Sequence, residues 1–160
     1  MKAKYCLGYM IAGATLLSTA QAQLPTKKVI TLQVAERIAE VAAQSCVSKG
    51  YNVSVLVVDD AGRMIAFLRS DGADNAGRDI ALGKANAVLT MRAPSGPPPN
   101  AAPGAQGMPA MAGMLMVQGA LPIMVNNDLI GAVAVAGAPG GDKDAACAQA
   151  GIDAVKSLLK

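Results

Sequence analysis

Apolar positions at the start of the chain recur every three to four residues. Val34, Ile38 and Val41 fall on one face of a helix at this spacing. Thr31 is a suitable N-cap for such a helix, and Gly50 is a natural stop. The pattern therefore predicts a first helix between residues 31 and 49.

Two later parts of the chain change to the period-two pattern of β-strands and are interrupted by turn residues. Gly62 sits in the first interruption, and the pair Asn126 and Asn127 forms the second, where asparagine tolerates the left-handed backbone of a type I′ turn. Each interruption therefore predicts a hairpin. The four strands are predicted at residues 52–60, 64–70, 121–125 and 128–137.

Two more helices complete the pattern. The first is predicted at residues 76–91, and the second is capped by Asp142 and runs through Leu159. Two hairpins with helices around them indicate an α+β fold, in which one antiparallel sheet has helices packed on its faces.

The first 22 residues have the composition of a cleaved secretory signal. A basic start is followed by an apolar run from Tyr5 to Leu17, and a small-residue cleavage pattern ends at Ala22. The run is shorter than the roughly 20 residues of a spanning helix. We expect a single exported domain of residues 23–160, periplasmic or secreted, with no membrane attachment after cleavage.

A second change of composition occurs at residues 93–107, which contain five prolines and three glycines. Such a segment offers no large apolar side chains to a core, and we expect it to be a mobile loop. A loop of this length in a small domain is typical of either function or disorder.

Export also changes how the cysteines are interpreted. Cys6 would leave with the signal, so Cys46 and Cys147 remain as a disulfide candidate, with two separate buried thiols as the alternative. On a helical wheel they lie on opposite flanks of their apolar faces. They can meet if the first and last helices lie side by side, and we expect these helices to be parallel.

Charge argues against a nucleic-acid partner. Without Lys2 and Lys4 the 14 basic residues become 12, against 11 acidic residues, so the mature chain carries a net charge of +1. It has neither the basic stripe nor the aromatic surface of a nucleic-acid-binding protein.

Three stretches carry a resemblance to a known family: VSVLVVDDAGRMIAFLRSDGA, ALGKANAV and GALPIMVNNDLIGAVAVAGAPGGDKDAACAQAG. They resemble the GlcG/HbpS family of small haem-binding proteins, which is similar to the C-terminal domain of PduO-type corrinoid adenosyltransferases. The resemblance covers residues 31 to about 159. It implies an antiparallel sheet of about five strands flanked by helices, a homo-oligomer, and haem or a related tetrapyrrole as ligand.

The chain departs from this family in having no histidine, the usual axial ligand of haem iron. Its most unusual segment instead carries four methionines in nine residues: Met108, Met111, Met114 and Met116. One interpretation is an adaptable apolar pocket wall, since methionine fills irregular gaps. The alternative is a Cu(I)-binding protein that uses these four thioethers.

A ligand site is expected between sheet and helices, with Met91, Met108 and Met111 as its apolar lining. Arg69, Asp71 and Lys84 would bind an anionic group such as a propionate. The competing interpretation of Arg69 and Asp71 is an internal pair that fixes their loop.

The favoured interpretation is a small-ligand-binding protein rather than an enzyme. A third hypothesis is an accessory enzyme acting on a small anionic substrate, with Lys84 or Asp71 carrying a proton. No histidine base is available for such chemistry.

Overall fold

A computed structural model describes residues 26–97 and 113–159 of the chain. These two ranges contain three helices and four strands. They are α1 (Leu32–Val47), β1 (Ser54–Asp59), β2 (Met64–Arg69), α2 (Gly77–Met91), β3 (Ala120–Val125), β4 (Asp128–Ala136) and α3 (Gly141–Ala154). The predicted α+β class is confirmed, and each predicted helix and strand is present.

The four strands form one sheet in the order β2-β1-β4-β3, and every neighbouring pair is antiparallel. Ala66, Val57, Val133 and Leu121 form one row across it. The described residues thus hold four strands where about five were expected. Since the two hairpins pair through β1 and β4, the edges of the sheet are β2 and β3.

Helices cover both faces of the sheet. The six residues of β1 are all buried, as its continuous apolar pattern requires. One face packs against α1 and α3 and contributes Val55, Val57, Val133 and Val135. The other face packs against α2 and contributes Leu56, Val58, Ala132 and Ala134. The alanines of β4 allow α2 to approach the sheet closely.

The pairing of Cys46 with Cys147 is confirmed: the two form a disulfide with a Cα–Cα distance of 5.6 Å. The expected direction of the helices is wrong. Four residues beyond Cys147, Gly151 lies against Ile38 and Ala42, which precede Cys46 in α1. The sequence numbers therefore run in opposite senses along the contact, and α1 and α3 are antiparallel.

The turns largely follow their sequence signals. Gly62 takes a positive φ of 78° between β1 and β2. In the second hairpin Asn126 has a φ of 56°, whereas Asn127 is not among the residues with positive φ. A type I′ turn requires the left-handed conformation at both central positions, so that prediction is wrong although the two-residue connection is present.

The last helix differs from its prediction at both ends. It begins at Gly141, with Gly140 at the N-cap position, so Asp142 lies inside the first turn and is not the cap. It ends at Ala154, before Leu159. Asp142 still fits its position, because a carboxylate near a helix N-terminus is favoured by the helix dipole.

Several predictions concern parts of the chain that lie outside the described residues. These are the signal peptide at 1–22 and most of the proline-rich segment, from residue 98 to 107. In the described part, every helix is too short or too polar to cross a lipid bilayer.

Gly151 provides a test of the α1–α3 contact. A β-carbon there would lie 2.5 Å from the carbonyl oxygen of Ile38. Helix propensity alone predicts that Gly151→Ala stabilises the protein by about 1 kcal/mol. We expect the opposite, a loss of about 1 to 3 kcal/mol, because the two backbones must separate. Urea denaturation measures the sign, and a stabilised variant would contradict the close packing.

Candidate functional site

The segment at residues 113–115 lies along the outer side of α2. Leu115 N donates a 2.9 Å hydrogen bond to Gly83 O, and Asn86 Nδ2 donates a 2.8 Å hydrogen bond to Gly113 O. A β-carbon at Gly83 would lie 3.0 Å from Leu115 Cβ, so glycine permits this approach. The segment is thereby fixed to α2 by two hydrogen bonds and one close packing contact.

Two hollows open on either side of this segment, and together we call them the α2 groove. The hollow of about 480 Å³ is lined by Ala76, Asp79, Ile80, Leu82, Gly83, Asn86, Gly113, Met114 and Leu115. The hollow of about 490 Å³ is lined by Asp60, Ala61, Gly62, Asn86, Leu89, Thr90, Gly113 and Met114. Both volumes lie within the range of small-molecule sites.

Three residues line both hollows: Asn86, Gly113 and Met114. Met114 is half-buried and lines both hollows. Among the described lining residues it is the one sulfur donor. The side-chain amide of Asn86 fixes Gly113, which lines both hollows, through its hydrogen bond to the Gly113 carbonyl.

The other predicted methionines are placed differently. Met91 ends α2 and is 54% exposed, and it is not among the residues that line the groove. Met116 is half-buried, two residues beyond Met114. Met108 and Met111 lie outside the described residues. Across residues 26–97 and 113–159, no group of three or more acidic or cysteine side chains is arranged to hold a metal ion.

Lys84 forms a buried ion pair with Asp144 that joins α2 to the start of α3. Its Nζ lies 2.7 Å from Asp144 Oδ2 and donates a second hydrogen bond of 2.9 Å to Val135 O. The other oxygen, Asp144 Oδ1, accepts from Ala138 N at 3.0 Å. The side chains are 3% and 5% exposed. Lys84 is therefore a structural cation and not a free group for an anionic ligand.

The backbone leaves room for this pair at Gly119, just before β3. A β-carbon on Gly119 would lie 2.5 Å from Lys84 Nζ and 2.8 Å from Asp144 Cβ. Burial raises the pKa of the Asp144 carboxyl above its ordinary value, and the hydrogen bond and charge of Lys84 oppose that rise. The lysine thus favours the ionised form of a desolvated carboxyl group.

The structure does not bring Arg69, Asp71 and Lys84 together. Arg69 ends the edge strand β2, whereas Lys84 Nζ reaches the opposite edge of the sheet beside Gly119. The Arg69 guanidinium donates to Ala73 O at 3.0 Å and 2.6 Å, so it does fix its loop, through a carbonyl. Asp71 is exposed in that loop.

Sequence reasoning missed Asp144 and Asn86. It assigned the helix-start carboxylate to Asp142, two residues too early, and nothing local marks Asp144 as the partner of a lysine 60 positions away. Asn86 follows Lys84 in the ALGKANAV stretch, where its polarity among alanines was a usable signal.

A family model described as haem degrading protein HbpS-like matches residues 30–153. Among solved structures, a double mutant of HbpS from Streptomyces reticuli is 30% identical, with a TM-score of 0.74, covering 89% of this chain and 97% of that one. Protein ORFY of Klebsiella pneumoniae is 25% identical, with a TM-score of 0.72, covering 88% of this chain and 99% of that one.

A third structure, a complex of PduOC with heme, has a TM-score of 0.68. It is 20% identical and covers 79% of this chain and 95% of that one, so it shows a shared fold. No curated protein matches the chain.

The buried ion pair gives a stability prediction. Lys84→Met removes the partner of Asp144 and leaves a desolvated carboxylate, which costs about 3 to 5 kcal/mol. The matched control is Lys143→Met, because Lys143 lies 3.9 Å from Asp142 at the surface and such pairs contribute about 0 to 1 kcal/mol. Urea denaturation of both variants measures the difference.

The same variant has a predicted pH dependence. The pKa of the Asp144 carboxyl is raised in the folded protein above its unfolded value, so this group stabilises the fold at low pH. That contribution is lost as pH rises from about 4 upward. Without Lys84 only the hydrogen bond from Ala138 N still opposes the rise, so Lys84→Met should lose stability more steeply than the wild type. Parallel pH curves for the two proteins would contradict the assignment.

Proposed function

Since the chain belongs to the HbpS-like family of haem degrading proteins, we propose that it binds haem or a related tetrapyrrole in the α2 groove. The observation that supports this most directly is the pair of hollows that meet at Met114. The related PduOC structure contains heme on the same fold.

The residues of the groove suit a flat, largely apolar ring. Ile80, Leu82, Met114 and Leu115 supply apolar contacts along one side of α2. Methionine adapts its shape to the ligand, since its unbranched side chain has three rotatable bonds. Ile80 is 38% exposed, so a ligand that covers it removes apolar surface from water.

An anionic group on the ligand would find its cation at the start of α2. Arg78 pairs with Asp79 at 2.9 Å, and their side chains are 60% and 70% exposed. An exposed pair of this kind is weak and exchanges readily. Arg78 does not itself line the groove, but its partner Asp79 does, so we assign the propionate contact to Arg78 rather than to Arg69, which is held by Ala73, or Lys84, which is held by Asp144.

Haem iron supplies redox and ligand-binding chemistry when it is bound, and its axial ligand tunes that chemistry. In this histidine-free chain the thioether of Met114 would hold the haem iron, because Met114 is the sulfur-containing residue among those that line the two hollows. Asn86 keeps Met114 in place by holding Gly113.

We also propose that the chain binds its ligand without catalysing a reaction, and that it is exported. Lys84, the side chain best suited to carry a proton, is committed to Asp144 and Val135. The support for export is the signal-like composition of residues 1–22 and the pairing of Cys46 with Cys147, which oxidising compartments favour.

A hemin titration of the purified protein tests the proposal. We expect a saturable change in the Soret band with one haem per chain. Met114→Leu keeps the side-chain volume and should weaken binding by about tenfold, equivalent to about 1.4 kcal/mol, with loss of the thioether signature from the spectrum. Met91→Leu is the matched control, since Met91 does not line the groove, and it should bind as the wild type does.

The alternatives predict different results. If the two substitutions had equal effects, Met114 would not be part of the binding site. If the Soret band showed no saturable change, the haem-binding proposal would be rejected. The copper hypothesis would be favoured if the protein did not bind hemin but bound Cu(I), and if replacing its methionines by leucine abolished Cu(I) binding.

A further inference from the structure

A second groove opens between β2 and α1, and we call it the α1 groove. Its volume of about 620 Å³ lies within the range of small-molecule sites. Leu68 and Ala66 pair with Val55 and Val57, which pack on the α1 side of the sheet, so the α1 groove and the α2 groove lie on opposite faces. The residues that line the α1 groove are Gln33, Glu36, Arg37, Glu40, Ile65, Ala66, Phe67 and Leu68.

The strand β2 supplies an apolar wall to this groove. Ile65 and Ala66 are half-buried, whereas Leu68 is 41% exposed. A ligand that covers Leu68 removes apolar surface from water, which favours binding. The wall therefore suits the apolar part of a small molecule.

Phe67 borders the groove through its backbone and not through its ring. Its side chain packs on the other face of the sheet, against the cluster that contains Leu56. Ser70 N donates to Val53 O, so this residue pair is hydrogen-bonded, and bonded and non-bonded pairs alternate along an antiparallel ladder. The C=O and N–H groups of Phe67 therefore point away from β1, where the carbonyl can accept a hydrogen bond from a ligand.

The helix α1 supplies the charged side of the groove, and one of its charges is uncompensated. Arg37 Nη1 lies 2.9 Å from Glu40 Oε2, and Glu40 Oε1 accepts from Gln44 Nε2 at 3.3 Å. Glu36 is exposed, and no ion pair within residues 26–97 and 113–159 includes it. Two glutamates and one arginine give the lining a net charge of −1, and the unpaired carboxylate is that of Glu36.

We propose that the α1 groove binds a primary ammonium ion that carries an apolar chain or ring. An ammonium group has three N–H donors and no acceptor. The Glu36 carboxylate, the Phe67 carbonyl and the amide oxygen of Gln33 are acceptors for these donors, and the apolar wall contacts the rest of the molecule. This inference does not depend on haem.

The same lining disfavours an anionic ligand. A carboxylate in the groove would meet the unpaired charge of Glu36. If it displaced Glu40 from Arg37, it would leave a second glutamate without its partner. The sign of the ligand charge is therefore the feature that an experiment must vary.

A titration of the haem-free protein with hexylammonium chloride, followed by the amide chemical shifts of the isotope-labelled chain, tests the proposal. We expect saturable shifts at the amides of the α1 groove. Hexanol and hexanoate have the same number of carbon atoms and serve as matched probes. Hexanol should bind about fivefold more weakly, the size expected of an exposed ion pair, and hexanoate should give no saturable shift.

Substitutions separate the charged side from the apolar wall. Glu36→Gln keeps the shape of the side chain and should weaken hexylammonium binding by about fivefold. Asp74→Asn is the matched control, because it removes an exposed carboxylate outside the groove, and it should bind as the wild type does. Leu68→Ala should reduce the gain in affinity from butylammonium to hexylammonium, which is at most about fourfold for each methylene. Thermal unfolding verifies that each variant is folded.

Three results would overturn the proposal: no saturable shift in the α1 groove, hexanoate binding as tight as that of hexylammonium, or equal affinities of the Glu36→Gln and Asp74→Asn variants. Shifts of the same amides with protein concentration alone would assign the groove to a second copy of the chain, and would also overturn it. Because hemin is absent throughout, these results leave the ligand proposal for the α2 groove untouched.

Discussion

The ion pair between Lys84 and Asp144 holds together parts of the fold that the sheet keeps apart. α2 packs on one face and α3 on the other, and the pair joins them beside the edge of the sheet at Gly119. Burying two charges is costly, so every remaining hydrogen bond must be made. Val135 O and Ala138 N supply two of these hydrogen bonds. The groove residues of α2 are thereby fixed relative to the disulfide-linked pair of helices.

The local elements were predictable because their signals are local. The nearly continuous apolar run over 52–60 and the three-to-four spacing around Ile38 depend on residues that are neighbours in sequence, and the strand and the helix predicted from them are confirmed. The disulfide followed from cysteine number and the expected compartment. The direction of its helices did not follow, because a helical wheel locates a residue around the axis and contains no information on which way the axis points.

The candidate site was predicted less well, for the same reason. Lys84, Arg69 and Asp71 lie within 15 positions of one another in the sequence, and a charged cluster was a natural expectation. The partner of Lys84 is Asp144, which tertiary packing brings to it across the edge of the sheet, whereas Arg69 bonds a backbone carbonyl, Ala73 O, within its own loop. Burial also changes what a lysine can do, since a desolvated cation must have hydrogen-bond and charge partners within the protein before it can bind a ligand.

The disulfide makes residues 46 to 147 a covalent ring, and that ring contains all four strands and α2. A single peptide-bond cleavage anywhere inside it therefore leaves one connected molecule, with new chain ends but no lost piece. The proline-rich stretch at 93–107 falls within this ring. A protease cut there would convert the chain into two fragments that remain joined through α1 and α3, and their re-association would stay intramolecular.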